Sequence, residues 1–106
     1  MMHTTAKKRR FVRKGNFSVY LLACEDGTYY TGSTNDLARR IKQHQDGTGA
    51  WYTRVKGAGK VVWVKEYRYF KGAFLMEMRI KKLTRLQKEA LVNGMRLERV
   101  LAKAGK

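Results

Sequence analysis

Tyr29-Tyr30-Thr31-Gly32-Ser33-Thr34-Asn35-Asp36-Leu37-Ala38-Arg39-Arg40-Ile41-Lys42-Gln43-His44 passes from strand-forming to helix-forming sequence with no long loop between. Its first part, Tyr29 to Ser33, reads as the return limb of a β-hairpin. The outgoing limb is the β-rich run Phe17 to Ala23, and Glu25-Asp26-Gly27-Thr28 makes the turn, because Asp-Gly suits the positive φ that tight hairpin turns require. Its second part opens a helix. Asn35 is placed to cap it, Asp36 suits the positive end of the helix dipole, and Leu37 and Ile41 fall on one face. Asp46-Gly47-Thr48-Gly49 closes that helix.

Further along the chain, residues 50–60 form a Gly/Lys-rich loop carrying Trp51 and Tyr52. Val61 to Tyr69 reads as a third strand and residues 72–83 as a helix. Thr84-Arg85-Leu86-Gln87 is a capping-box pattern that opens another helix, Gly94 breaks it, and 95–104 continue as a last helix. Three strands and these helices predict a small α/β (α+β) sandwich, with a mostly antiparallel three-stranded sheet flanked by helices. Length allows one compact domain. We place a basic flexible tail at 1–15, the domain at 16–94 and a helical extension at 95–106.

The chain has 24 Lys+Arg against 8 Asp+Glu, a formal net charge of +16 over 106 residues. Such an excess implies a polyanionic partner, because neutralising phosphates releases condensed counterions. In the tail, Lys7, Lys8, Arg9, Arg10, Arg13 and Lys14 lie without an acid among them, as a solvated segment or as an arm that grips phosphates. Trp51, Tyr52, Arg54, Lys56 and Lys60 form an aromatic-basic loop suited to stacking on bases and holding backbone. No apolar stretch approaches the roughly 20 residues needed to span a bilayer, so no membrane is expected. The basic N-terminus is followed by no apolar core of a secretory signal, which points to the cytoplasm. Cys24 is the single cysteine, reads as a small buried hydrophobe, and permits no intrachain disulfide.

Without a cysteine cluster or a His pair at ligand spacing, a zinc site is not expected, and any metal would be a hard ion held by oxygen. The acids can be screened in turn. Glu25 and Asp26 belong to the turn, and Asp36 and Asp46 to helix ends. Glu66, Glu89 and Glu98 have basic neighbours or solvent-facing positions. Glu77 differs: it falls inside the apolar stripe of Ala73, Met76, Ile80 and Leu83. A carboxylate there is costly unless it is paired or holds a metal, so it either pairs Lys81 one turn on or is a ligand. Tyr20 and Tyr30 lie across the hairpin and can share one face, while Arg40 and His44 share a helix face at i, i+4.

In order, these residues resemble the GIY-YIG nuclease family. Val19-Tyr20-Leu21 stands for the first motif and Tyr30-Thr31-Gly32 for the second. Asn35-Asp36-Leu37 through Arg40 to His44 matches its following helix, Ala73 to Glu77 its glutamate helix, and Lys88 to Asn93 its closing asparagine. The chain is similar to the small stand-alone UPF0213 or YhbQ-like group, and departs from the motifs in lacking Gly-Ile at the first and in carrying Thr31 at the second. The resemblance covers residues 17–93 and implies a DNA endonuclease hydrolysing phosphodiester bonds with one Mg²⁺ or Mn²⁺ held by Glu77. It implies that Arg40 stabilises phosphoryl charge, that Tyr20 or Tyr30 orients or deprotonates water, and that His44 relays a proton or binds phosphate. Contacts to structured or branched DNA, or to RNA, would come from Arg39, Lys42, Lys60, the aromatic-basic loop and Asn93. The competing readings are a non-catalytic nucleic-acid-binding module and an RNA-associated structural protein. Neither requires a glutamate on an apolar face or an Arg-His pair beside the tyrosines.

Overall fold

A computed structural model describes residues 14–47 and 59–104. Its elements, in chain order, are β1 (Lys14–Ala23), β2 (Tyr29–Thr34), α1 (Leu37–Asp46), β3 (Lys60–Tyr69), α2 (Phe70–Lys81), α3 (Arg85–Val92) and α4 (Leu97–Ala104). The sheet has the order β2-β1-β3 and is antiparallel throughout. The three-stranded α+β architecture expected from the sequence is therefore the one observed.

The hairpin forms where its turn chemistry directs. Gly27 takes φ 88°, and the Asp26 carboxylate accepts hydrogen bonds from the Thr28 backbone N–H (3.1 Å) and hydroxyl (2.7 Å). Such Asx geometry holds the chain in a reversal that a β-branched residue at Gly27 would strain. β1 is the central strand, and both of its faces are covered. Phe17, Val19 and Leu21 face a core shared with Ala73 and Ile80 of α2, Leu83, Leu91 of α3, and Leu97 and Val100 of α4. The alternate residues Ser18, Tyr20 and Leu22 are buried on the other side. Burying a side chain such as Ile80 or Leu91 contributes about 1.5–3 kcal/mol each, so the helices are held chiefly by this apolar seam.

Several boundaries differ from expectation. β1 begins at Lys14, which pairs with Tyr69, so the last two residues of the segment read as a tail belong to the sheet. Asp36, not Asn35, caps α1: its side chain accepts the Arg39 N–H at 3.1 Å. A carboxylate satisfies that donor and also complements the helix dipole, which a neutral amide does less well. α2 begins directly at Phe70, two residues early, because β3 runs into it through extended Tyr69 with no breaker between. α4 starts at Leu97 rather than at 95. The capping box of α3 is present as expected, with Gln87 N–H donating to the Thr84 hydroxyl at 3.2 Å and Thr84 N–H donating to the Gln87 side chain at 2.9 Å.

Candidate active site

The strand register decides which side chains meet. Tyr20 lies opposite Gly32, and Leu22 opposite Tyr30, so the two tyrosines share one side of the sheet. His44, from the last turn of α1, closes on the same side. Its Nε2 lies 2.8 Å from the Tyr20 hydroxyl, and both residues are buried. The three rings form a tight group, with centroids 6.3 Å apart for Tyr20–Tyr30, 5.9 Å for Tyr20–His44 and 5.3 Å for Tyr30–His44. His44 is thus no isolated surface histidine but the inward end of the helix face it shares with half-buried Arg40.

Gly32 makes this packing possible. A Cβ there would meet the Tyr20 hydroxyl oxygen at 2.6 Å, Tyr20 Cζ at 2.7 Å and Tyr30 Cε2 at 2.9 Å. The Tyr20 ring is fixed by burial and by its bond to His44, so it cannot yield cheaply. Gly32→Ala is therefore expected to cost about 1–3 kcal/mol through overpacking, which in a domain of this size lowers Tm by about 4–8 °C for each kcal/mol. Thermal melting of the variant checks this, and an unchanged Tm would mean that the tyrosine pair is not held where the geometry puts it.

Electrostatics set the protonation of this group. Burial pushes the Tyr20 hydroxyl well above its ordinary range; neighbouring Tyr30 and Glu77 add to this and Arg40 opposes it. Burial also raises Tyr30, with Lys81 and Arg40 pulling it back and Glu77 pushing it up. Burial and then the Arg40 charge lower His44, which keeps its imidazole neutral. The Tyr20 hydroxyl and His44 Nε2 thus share a hydrogen bond between two groups whose burial favours their neutral forms. Arg40 and Glu77 act on both tyrosines, so the helices α1 and α2 present opposite charges to one pair of phenols.

Glu77 reaches the sheet edge from the α2 side. Ser33 stands opposite Val19 and so points to the opposite side of β2 from the tyrosines. Its hydroxyl donates to Glu77 Oε1 at 2.5 Å, while Lys81 Nζ lies 3.0 Å from Oε2. The Lys81 pairing foreseen as one of two readings of Glu77 is thus present, though Lys81 is largely exposed and Glu77 mostly buried. Sequence reasoning missed Ser33, whose contact with Glu77 spans 44 residues and leaves no local signal.

The remaining candidates are dispersed. Arg39, Lys42 and Lys60 are exposed, and Arg39 also leans toward Asp36 at 3.8 Å. Asn93 caps the end of α3 beside a cleft with Arg96 and Arg99, and none of its described bonds reaches the tyrosine–histidine group. Trp51, Tyr52, Arg54 and Lys56 lie outside the described residues.

Among the described residues no three His, Cys, Asp or Glu side chains gather to hold a metal. The donor chemistry is that of one carboxylate with lone pairs to spare beyond its two present partners. This suits a hard ion that keeps several waters of its own, and does not suit zinc.

A family model described as the GIY-YIG catalytic domain matches residues 16–90. The chain belongs to the GIY-YIG family. It is 46% identical over 76 residues to the UPF0213 protein CPE1444 of Clostridium perfringens, covering 72% of this chain and 82% of that one. To the UPF0213 protein YazA of Bacillus subtilis it is 37% identical over 81 residues, covering 76% and 82%. The solution structure of the protein EF2693 from E. faecalis superposes with a TM-score of 0.53 at 36% identity, over 77% of this chain and 88% of that chain. The GIY-YIG family is a nuclease family, and the matched span contains Tyr20, Tyr30, Arg40, His44 and Glu77 but ends before Asn93. No helix among the described residues is long and apolar enough to cross a membrane.

Proposed function

We propose that this GIY-YIG protein is a metal-dependent endonuclease that hydrolyses phosphodiester bonds in DNA, in repair, recombination or processing. What supports this reading is the packing of Tyr20, Tyr30 and His44 into one group of rings, with the charges of Arg40 from α1 and Glu77 from α2 acting on both phenols. A module that merely gripped backbone would need surface lysines and arginines, and has no use for a carboxylate held mostly buried against Ser33.

Each side chain then has a distinct task. Arg40 meets the phosphate and offers its planar fork of donors to the charge that grows as the phosphorus is attacked. Tyr30 is the less buried of the two phenols and the one influenced by Lys81, so it is the one suited to hold the attacking water. Its raised pKa favours orienting that water over removing its proton, unless a cation beside Glu77 draws the phenol down. Tyr20 and His44 act as positioning residues: their shared hydrogen bond fixes the wall against which Tyr30 packs. Glu77 would hold one Mg²⁺ or Mn²⁺, with Ser33 orienting the carboxylate; such an ion polarises phosphate oxygens and acidifies bound water. A net charge of +16 supplies the sequence-independent attraction to DNA.

The test is incubation of the full chain with nicked, branched, single-stranded and duplex DNA in Mg²⁺ or Mn²⁺, with a chelator as control. We expect new strand ends that require the divalent ion. DNA that is bound but left intact in every form would overturn the enzymatic reading in favour of a binding module.

A further inference from the structure

Beside Ser33 and Glu77 lies a cavity of about 230 Å³ whose lining is part apolar and part basic and polar. Its apolar lining comes from Phe17 of β1 and from Phe70 and Ala73 of α2. Its polar lining comes from Ser33 and Thr34 of β2 and from Asn35, Arg39 and Arg40, in the connection into α1 and its first turn. We propose that this cavity receives one unstacked nucleobase of the bound strand, laid against Phe70, while the flanking phosphate meets Arg39 and Arg40. The inference rests on the reading of the chain as acting on nucleic acid, and names the subsite within it.

Phe70 is built as a platform. It is 40% exposed, yet it is braced on two sides. Phe74 stacks against it at 5.9 Å with planes 21° apart, and Phe17 meets it edge-on at 5.8 Å. Phe74 and Met78 continue the exposed stripe at one-turn spacing. A broad apolar face on so basic a chain is otherwise a liability for association. An apolar protein partner seated here would have to strip water from two guanidinium groups. A nucleotide would not: its flat heterocycle offers an apolar face to the ring, a polar edge to the Asn35 amide, and an anion to the arginines. The volume admits a single heterocycle, and Ser33 lines the same cavity while donating to Glu77. The captured base therefore belongs to a nucleotide next to the phosphate that Glu77 serves. A base already unpaired enters at least cost, so sites with a bulged or frayed base are favoured over intact duplex.

The experiment measures binding in chelator, where nothing is cut. Wild-type protein is titrated against short fluorescent duplexes carrying a one-nucleotide bulge, either with its base or abasic. Base-on-aromatic stacking predicts about tenfold tighter binding to the bulge that keeps its base. In Phe70→Ala that ratio should collapse to about one, and Phe70→Tyr should restore it. Because loss of the ring could loosen the Phe17 contact, Phe70→Leu, which keeps apolar bulk, serves beside it with the same expectation. A 2-aminopurine placed in the bulge should change its emission on binding to wild type and not to Phe70→Leu. Equal affinity of wild type for both bulges would overturn the base subsite and leave the nuclease reading standing. A ratio that survives in both Phe70→Ala and Phe70→Leu would overturn the subsite in the same way. Absence of binding to any DNA would remove both readings together.

Discussion

Glu77→Gln is expected to abolish cleavage while DNA binding survives. The amide is isosteric with the carboxylate and still accepts the Ser33 hydrogen bond, so the edge of β2 and the packing of α2 are retained. What disappears is the negative charge. Among the described residues Glu77 is the carboxylate that bonds Ser33 at this edge, and no three His, Cys, Asp or Glu side chains gather to hold an ion in its place. An ion polarising phosphate contributes several kcal/mol to the transition state, so its loss should slow cleavage on the order of a thousandfold or more. Stability should change little. The lost partner, Lys81, is largely exposed, and an i, i+4 pair of that kind contributes well under about 1 kcal/mol. Nuclease assays, salt-controlled binding titrations and melting curves on the same preparation check all three statements. Cleavage at the wild-type rate would contradict the assignment of Glu77.

Arg40→Ala carries the second largest expected effect. Arg40 is half-buried, lies beside the cavity next to Ser33, and acts electrostatically on Tyr20, Tyr30 and His44 at once. Removing one donor aimed at developing charge costs about a hundred- to a thousandfold in rate. Lysine should rescue poorly, because a single ammonium cannot reproduce the planar bidentate fork. Ground-state binding should weaken only modestly, with the slope of log affinity against log salt falling by about one. Rates of Arg40→Ala and Arg40→Lys beside wild type, with binding measured across a salt series, separate the two effects. A variant that loses binding and cleavage in equal proportion would show that Arg40 only grips the backbone.

How much of this was legible in the chain follows from the range of the interactions. The hairpin was readable because Asp26-Gly27 states its own turn chemistry locally. The α3 start was readable for the same reason, with Thr84 and Gln87 three residues apart. Glu77 stood out because Ala73, Ile80 and Leu83 define the buried stripe it interrupts, and those three are indeed buried. The start of α2 was not readable. Tyr69-Phe70-Lys71 carries no breaker, and aromatic residues favour strands as readily as helices. Nor was the burial of His44: its partner Tyr20 sits 24 residues earlier, and only the pairing of β1 with β2 brings them together. Ser33 and the space above Gly32 have the same character, since both matter through a neighbour on another element. The cavity beside Phe70 was the least legible. Phe70, Phe74 and Met78 follow the spacing of a core stripe, and only the fold shows that α2 turns that stripe outward.

The measurement that bears most directly on the central claim is the cleavage rate of the wild-type chain as Mg²⁺ is titrated from chelated buffer upward, on a DNA form that it binds. One carboxylate holding one ion predicts no cleavage in chelator and a rise that saturates with single-site, non-cooperative dependence on Mg²⁺. Cleavage that is equally fast in chelator, or absent at every concentration despite bound DNA, would contradict the account.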